Sequence, residues 1–344
     1  MPKTIPAWRW DPSMGRALLY TALAALVPLV IGIDSYFVSF LVSVLIYSIF
    51  AMGLQLILGY AGIISLGHAA FFGVGAYASA ILTKKLGLPF SVGFLAALAT
   101  AFLFGLIMTP TVRLRDINFA MATFAFGIIA TQVFLHWSSL TGGHDGIPML
   151  PAAGLGPFAF DTSGRFYYFA LLLLLGQYLL FRRLLVSHLG LALNAIRQNE
   201  TAAQACGVNL AVLKVKVILI GSVSAGAAGS LFAHFNGSVS PLSFSWVQSV
   251  AILAMIVVGG LQSFGGAIVG VSVLLFLTDY LRILAEYSML SYGVILAVFM
   301  IFMPKGIVGF SRQVGEAARR RFGMVKAAPP SALLQMRPET PADG

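Results

Sequence analysis

Residues 59–82 read GYAGIISLGHAAFFGVGAYASAIL, an apolar run without one formal charge in which glycine and alanine return every few positions. In water, so many glycines would weaken a helix by roughly 1 kcal/mol each. In lipid the balance reverses. Small residues let helix backbones approach closely, and that packing replaces the hydrophobic drive that lipid removes. The stretch therefore reads as a packed transmembrane helix preceded by a break at residues 59–67. Two roles are open to it: a plain packing helix, or the wall of a path through the membrane.

The rest of the chain has the same character. Its 344 residues are 59% hydrophobic and 9% charged, too few charges for a water-soluble domain. Apolar stretches near the roughly 20 residues that a bilayer crossing requires lie at 17–33, 36–58, 65–82, 90–111, 117–136, 167–185, 211–235, 246–260, 266–283 and 288–303. They are continuously apolar rather than alternating, which indicates helices and not barrel strands. The expected fold is all-α, a polytopic membrane helical bundle of about ten spans, with 246–260 the shortest of them.

Charge placement gives the sidedness. With both termini cytoplasmic, all of the 21 basic residues except Lys84, Lys85, Arg165 and Arg282 fall inside, as the positive-inside rule requires. Topology and anionic lipid headgroups then account for the net charge of +10, and nucleic-acid binding is not needed. Residues 1–310 read as one transmembrane domain. Residues 311–344 turn basic, then rich in proline and alanine, and are expected to be a disordered cytoplasmic tail. The polar start of the chain, with tryptophan and proline, does not resemble a cleavable secretion signal. The single Cys206 excludes an internal disulfide.

Enzyme signatures are absent. No Gly-x-x-x-x-Gly-Lys-Ser/Thr phosphate loop occurs, and GSVSAG at 221–226 departs from Gly-x-Ser-x-Gly. His68, His136, His144, His188 and His234 are scattered without metal-ligand spacing, so neither a metal nor a cofactor is expected. Ionisable residues are also scarce at depth: the first five spans hold no Asp, Glu, Lys or Arg there, His68 lies early in the third and Asp279 toward the end of the ninth. Proton coupling normally requires more of them. Sodium coupling through the carbonyls of a broken helix is left open, but the simplest reading is that energy arrives from outside the chain.

Residues 187–209, SHLGLALNAIRQNETAAQACGVN, offer a route for it. Leu189, Leu193, Ile196 and Ala203 follow a helical apolar pattern, Arg197 to Glu200 cluster polar groups, and Gly207 before Asn209 reads as a stop. A short helix results, suited either to lie on lipid or to dock a soluble partner.

This loop resembles that of branched-chain amino acid ABC transporter permeases, in the pattern Ser-x-x-Gly-x-Ala-Leu-x-Ala-Ile-Arg-x-Asn-Glu-x-Ala-Ala-x-x-x-Gly-x-Asn from Ser187 to Asn209. Further landmarks of that family follow: Gly-Tyr-Ala-Gly at 59–62, Ser-Leu-Gly-His at 65–68, Thr-Gly-Gly-His-Asp-Gly at 141–146, Gly-Gly at 259–260 and Met-Pro-Lys-Gly at 303–306. Leu191 and Asn194 stand where family members often carry arginine, and His144 and His188 where smaller residues or proline are common. The resemblance implies the membrane subunit of a bacterial inner-membrane importer. Its partners would be a second homologous permease, two ABC ATPase subunits and a periplasmic substrate-binding protein, with no enzyme activity of its own. Gly190, Ala195, Arg197, Asn199, Glu200, Ala203 and Gly207 would then belong to the ATPase-coupling loop. The alternatives are a urea or short-amide permease of the same family, or a self-contained channel or sodium-coupled carrier.

Broken backbone at membrane depth is tolerated only where it lines a cavity or is buried in protein, and a helix starting near Ser65 would aim its positive end at a carboxylate. Gly59, Gly62, Ser65, Gly67 and His68 are accordingly expected to line or shape a translocation path. Gly259, Gly260, Gly265 and Gly266 repeat the pattern in the second half, where Gly266 and Gly270 form a Gly-x-x-x-Gly pair.

Overall fold

Continuous apolar runs with small residues every third or fourth position produce helices that pack backbone to backbone. The computed structural model describes residues 12–32, 35–114, 116–155, 158–280, 293, 306, 307 and 309. In chain order the helices are α1 (Pro12–Ile31), α2 (Tyr36–Gln55), α3 (His68–Lys84), α4 (Phe90–Ile107), α5 (Asp116–His136), the single turn α6 (Ser138–Thr141), α7 (Ser163–Val186), α8 (His188–Gln198), α9 (Glu200–Ala205), α10 (Leu210–Asn236), α11 (Trp246–Gly259) and α12 (Phe264–Tyr280). The only ladder among the described residues is a two-residue antiparallel pair, Gly154↔Ala159 and Leu155↔Phe158.

Helix α10 is the centre of the bundle. One of its faces carries Gly221, Ala225, Ala228 and Gly229, all buried. A Cβ on Gly229 would overlap the Phe72 carbonyl oxygen of α3, and one on Gly75 would lie 2.5 Å from the Gly226 Cα. A Cβ on Gly53 of α2 would sit 2.9 Å from the Gly221 carbonyl oxygen. Polar side chains join the same helices: Ser224 Oγ donates to the Ile49 carbonyl at 2.9 Å, and Gln177 Nε2 of α7 donates to Ser224 Oγ at 2.7 Å. Such bonds act as interhelical glue where no water competes. Around Phe72 the rings of Phe50, Phe232 and Phe244 close at centroid distances of 4.5, 5.2 and 5.4 Å.

Among the described residues, five helical stretches are long and apolar enough to cross a membrane: Tyr36–Tyr60, Phe90–Ile107, Ile117–His136, Ser163–Val186 and Leu210–Asn236. A sixth is added if α11 and α12 form one broken span. Helix α3, at 17 residues, rises about 26 Å. The stretches 246–260 and 266–283, expected as two spans, carry α11 and, over their described residues, α12. Helix α11 rises only about 21 Å, and the chain then bends through 116° into α12. Hydropathy measures the length of such a pair and not the turn between its halves. Apart from Gly293, the expected span at 288–303 lies outside the described residues, as does the tail from 311.

Two of the exceptional basic residues have local partners. Lys85 Nζ donates to the Ser139 and Leu140 carbonyls, each at 2.7 Å, and Lys84 Nζ to the Pro148 carbonyl. Both sit at the C-terminal end of α3, where a cation offsets the helix dipole. Nearby, the Pro151 carbonyl contacts His234 Nδ1 at 2.9 Å, His234 Nε2 faces Ser79 Oγ at 3.0 Å, and Ser230 Oγ donates to Ser79 Oγ at 2.8 Å. A proton on Nδ1 satisfies the whole chain of bonds and ties the 147–153 loop to α3 and α10.

Candidate functional site

Helix α2 does not simply end. Residues Leu56–Tyr60 widen into a π-helical turn, with Ala61 N donating to the Leu56 carbonyl at 3.3 Å and Ile63 N to the Ile57 carbonyl at 3.1 Å. Gly62 follows at φ +74°, a left-handed conformation that glycine adopts without strain. The chain is irregular to Gly67, and α3 starts at His68 rather than near Ser65. The reason is tertiary: Leu66 N donates to Thr123 Oγ1 at 3.1 Å and Ala69 N to Ser249 Oγ at 2.9 Å. Side chains from α5 and α11 thus take amides that were expected to face a carboxylate.

The expected path residues divide by environment. Gly62 is exposed, whereas Gly59, Ser65, Gly67 and His68 are buried. A Cβ on Gly67 would overlap the Thr123 carbonyl oxygen, so this glycine permits close approach of α5. The His68 ring stacks on Phe50 at 5.2 Å, and neither of its nitrogens has a hydrogen-bond partner among the described residues. Gly259 and Gly260 are buried, with Gly260 at φ +119°, and a Cβ on Gly259 would overlap the Gly266 carbonyl oxygen. Gly266 is buried and Gly265 half-buried.

The two glycine-rich breaks meet. Gln55 Nε2 donates to the Gly260 carbonyl at 3.1 Å, Tyr60 Oη to the Gln262 carbonyl at 2.9 Å, and the Tyr60 and Phe264 rings lie 4.9 Å apart. Above them sits the amphipathic loop. Its first helix, α8, leaves α7 at Ser187 in a turn so tight that a Cβ on Gly190 would overlap the Leu185 carbonyl. Asn199 breaks the loop helix in two and caps α9, its Oδ1 accepting from Ala202 N at 3.0 Å. Gly207, at φ +84°, ends it as the sequence indicates. Leu193, Ile196 and Ala203 are buried and Ala195 half-buried, while Leu191, Asn194, Gln198, Asn199, Thr201 and Gln204 are exposed.

Arg197 joins this loop to both breaks. A Cβ on Gly62 would lie 3.5 Å from Arg197 Cγ. With its oxygen turned toward the guanidinium, the Gln262 amide accepts from Arg197 Nη1 and, at 3.1 Å, from Nη2. Gln262 was not singled out from sequence, although it is a polar residue within the second glycine-rich run.

Glu200 serves the loop itself. Its Oε1 lies 2.6 Å from Lys214 Nζ, with the lysine side chain 10% and the glutamate side chain 35% exposed. Glu200→Ala would leave that ammonium without this partner, at a cost of about 1–3 kcal/mol, below the fully buried range because Glu200 is open to solvent. Lys214→Met removes the buried charge as well and should cost less. Denaturation midpoints of the two purified variants in detergent give the comparison; equal midpoints would show that the pair adds nothing.

Comparison with known proteins gives the family. The family described as branched-chain amino acid transport system / permease component matches residues 36–303. The high-affinity branched-chain amino acid transport system permease protein LivM of Escherichia coli (strain K12) is 32% identical over 295 residues, covering 78% of this chain and 69% of that protein. The probable branched-chain amino acid transport permease protein LivM of Methanocaldococcus jannaschii is 25% identical over 314 residues, covering 76% of this chain and 90% of that protein. The permease protein LivH of E. coli K12 is 24% identical over 287 residues, covering 76% and 91%. No solved structure matches the chain. With its apolar helices and a family match over most of its length, this is a multi-pass membrane protein that belongs to the branched-chain amino acid transport permease family.

Proposed function

We propose that this chain is the permease subunit of an ATP-driven ABC importer that carries leucine, isoleucine and valine across the bacterial inner membrane. It would act with a second homologous permease, two ATPase subunits and a periplasmic binding protein, in a bundle of about ten spans with both termini cytoplasmic. The observation that carries the reading is Arg197, one side chain touching the docking-type helix, the α2–α3 break and the α11–α12 turn. Gly190, Ala195, Asn199, Glu200, Ala203 and Gly207 shape that helix and its exposed face. Gly59, Gly62, Ser65, Gly67, His68, Gly259, Gly260, Gly265 and Gly266 form the seam that an ATPase would move.

Reconstitution tests this. ATP-dependent leucine uptake is expected only when the ATPases, the second permease and the binding protein accompany the chain. Uptake by the chain alone would replace the importer with a self-contained carrier. Uptake of urea or short amides in place of leucine, through the same assembly, would select the other substrate class.

A further inference from the structure

Helices α4 and α5 both present a long exposed face, and the two faces differ in chemistry. That of α4 carries Leu95, Ala99, Phe102, Leu103, Leu106 and Ile107, as a surface facing lipid should. On α5 the exposed face is mixed. A stripe along its centre, at alternating steps of four and three, runs Asn118, Ala122, Ala125, Ile129, Gln132, His136, where Ala122 is half-buried and the others exposed. Met121 and Ile128 flank it on one side and Val133 on the other, all exposed. Polar groups thus occupy the line of α5 that lies farthest from the protein, where a helix in lipid would place its most apolar side chains.

Those groups are not spent within the chain. Gln132 offers its backbone carbonyl to His136 Nδ1 at 3.0 Å, but neither its side-chain amide nor that of Asn118 has a hydrogen-bond partner among the described residues. Gln132 lies about 6 Å inside the end of α5, where an amide in hydrocarbon would forfeit its hydrogen bonds.

The opposite side of α5 is fixed to the functional seam. Thr123 Oγ1, on the buried side of the helix, accepts from Leu66 N in the broken segment. Phe124, at the border of the exposed face, meets the exposed Trp246 of α11 edge-on at 5.8 Å.

Resting on the permease reading above, we propose that the exposed face of α5, with Ala125 at its middle and Asn118 and Gln132 toward its ends, is the wetted wall of the translocation path. Its amides give transient hydrogen bonds to the zwitterionic end of an amino acid, and its apolar flanks accept the aliphatic side chain. Weak neutral donors and acceptors suit passage, since a tight charged site would release slowly. The buried residues of the broken segment stand behind this wall and control its position.

Cysteine accessibility tests the wall. In a Cys206→Ala background, with the whole transporter assembled in membranes, Ala125→Cys and Gln132→Cys should react with a charged, water-soluble thiol reagent at least about tenfold faster than Ala99→Cys on α4, since hydrocarbon admits no such reagent. Ala125 and Ala99 each lie near the middle of their helices, so the comparison is made at matched depth and with nearly isosteric changes. Leucine with its binding protein should slow the reaction at 125 and 132 only. Rates at 125 and 132 no faster than at 99 would overturn the proposal, as would disulfide cross-linking between two copies at 132 without aqueous reactivity, which indicates a dry helix contact. Position 125 reads the face even if the change at 132 disturbs folding. ATP-driven uptake is measured on the same membranes. If it persists while 125 and 132 stay unreactive, the wall is wrong and the importer stands; if the assembly shows no ATP dependence, the importer reading fails whatever the thiols report.

Discussion

Gly229→Val is expected to abolish recovery of folded protein. The new Cβ would fall on the Phe72 carbonyl oxygen and 2.9 Å from the Ala76 nitrogen. Both are backbone atoms inside a helix, so no side-chain rotation relieves the overlap, and α3 and α10 must separate along their contact. Overpacking against movable side chains already costs about 1–3 kcal/mol, and displacing two helix backbones costs more. Membrane-inserted protein should disappear from the monodisperse peak on size exclusion in detergent, while Gly229→Ala keeps a reduced fraction that is lost at lower temperature. Gly176→Val is the control, because nothing lies within 4 Å of a Cβ at Gly176. Equal recovery of Gly229→Val and Gly176→Val would show that the helices are not held this closely.

The second large effect concerns Arg197. Arg197→Ala should leave the permease folded and able to bind its ATPases, yet reduce ATP-driven uptake by about tenfold to a hundredfold, the shift produced by losing a charge-assisted bond of about 1.5–3 kcal/mol from one of two states. ATP hydrolysis should continue, separated from transport. Gln262→Ala should reproduce the loss, and the double variant should add little, because both remove the same contact. Arg197→Lys should not restore uptake, since an ammonium lacks the planar fork that reaches Gln262 while its stem packs on Gly62. Full uptake in both single variants would remove Arg197 from the coupling route.

How far the sequence could be read depended on the range of the interaction. The loop helix was legible because its apolar residues recur locally and Gly207 supplies a local stop. The break before α3 was legible because Gly59, Gly62 and Gly67 fall within one short stretch. The break runs to Gly67 as the run 59–67 indicates, but the helix start expected near Ser65 falls at His68, since Thr123 and Ser249, distant in the chain, take the amides of Leu66 and Ala69. The 116° bend between α11 and α12 was not legible, because hydropathy carries no direction. The bond from Arg197 to Gln262 joins residues far apart in sequence, and no periodicity connects them. The α5 stripe was present in the sequence, but without knowledge of which face is covered, Gln132 was one polar residue in an apolar run.

The glycine contacts also bear on mechanics. Where two helices meet at their carbonyls and α-carbons, no soft layer of side chains remains to absorb sliding. Helices α3, α10 and the Gly53 end of α2 are therefore welded into one stiff body, and α11 and α12 into another through Gly259, Gly266 and Gly270. Among the described residues α12 and α11 also pack along α2, and near the two breaks the bodies are joined by Gln55 to Gly260 and Tyr60 to Gln262. Arg197 lies where the two bodies meet, so a force applied there would reach both of them at once.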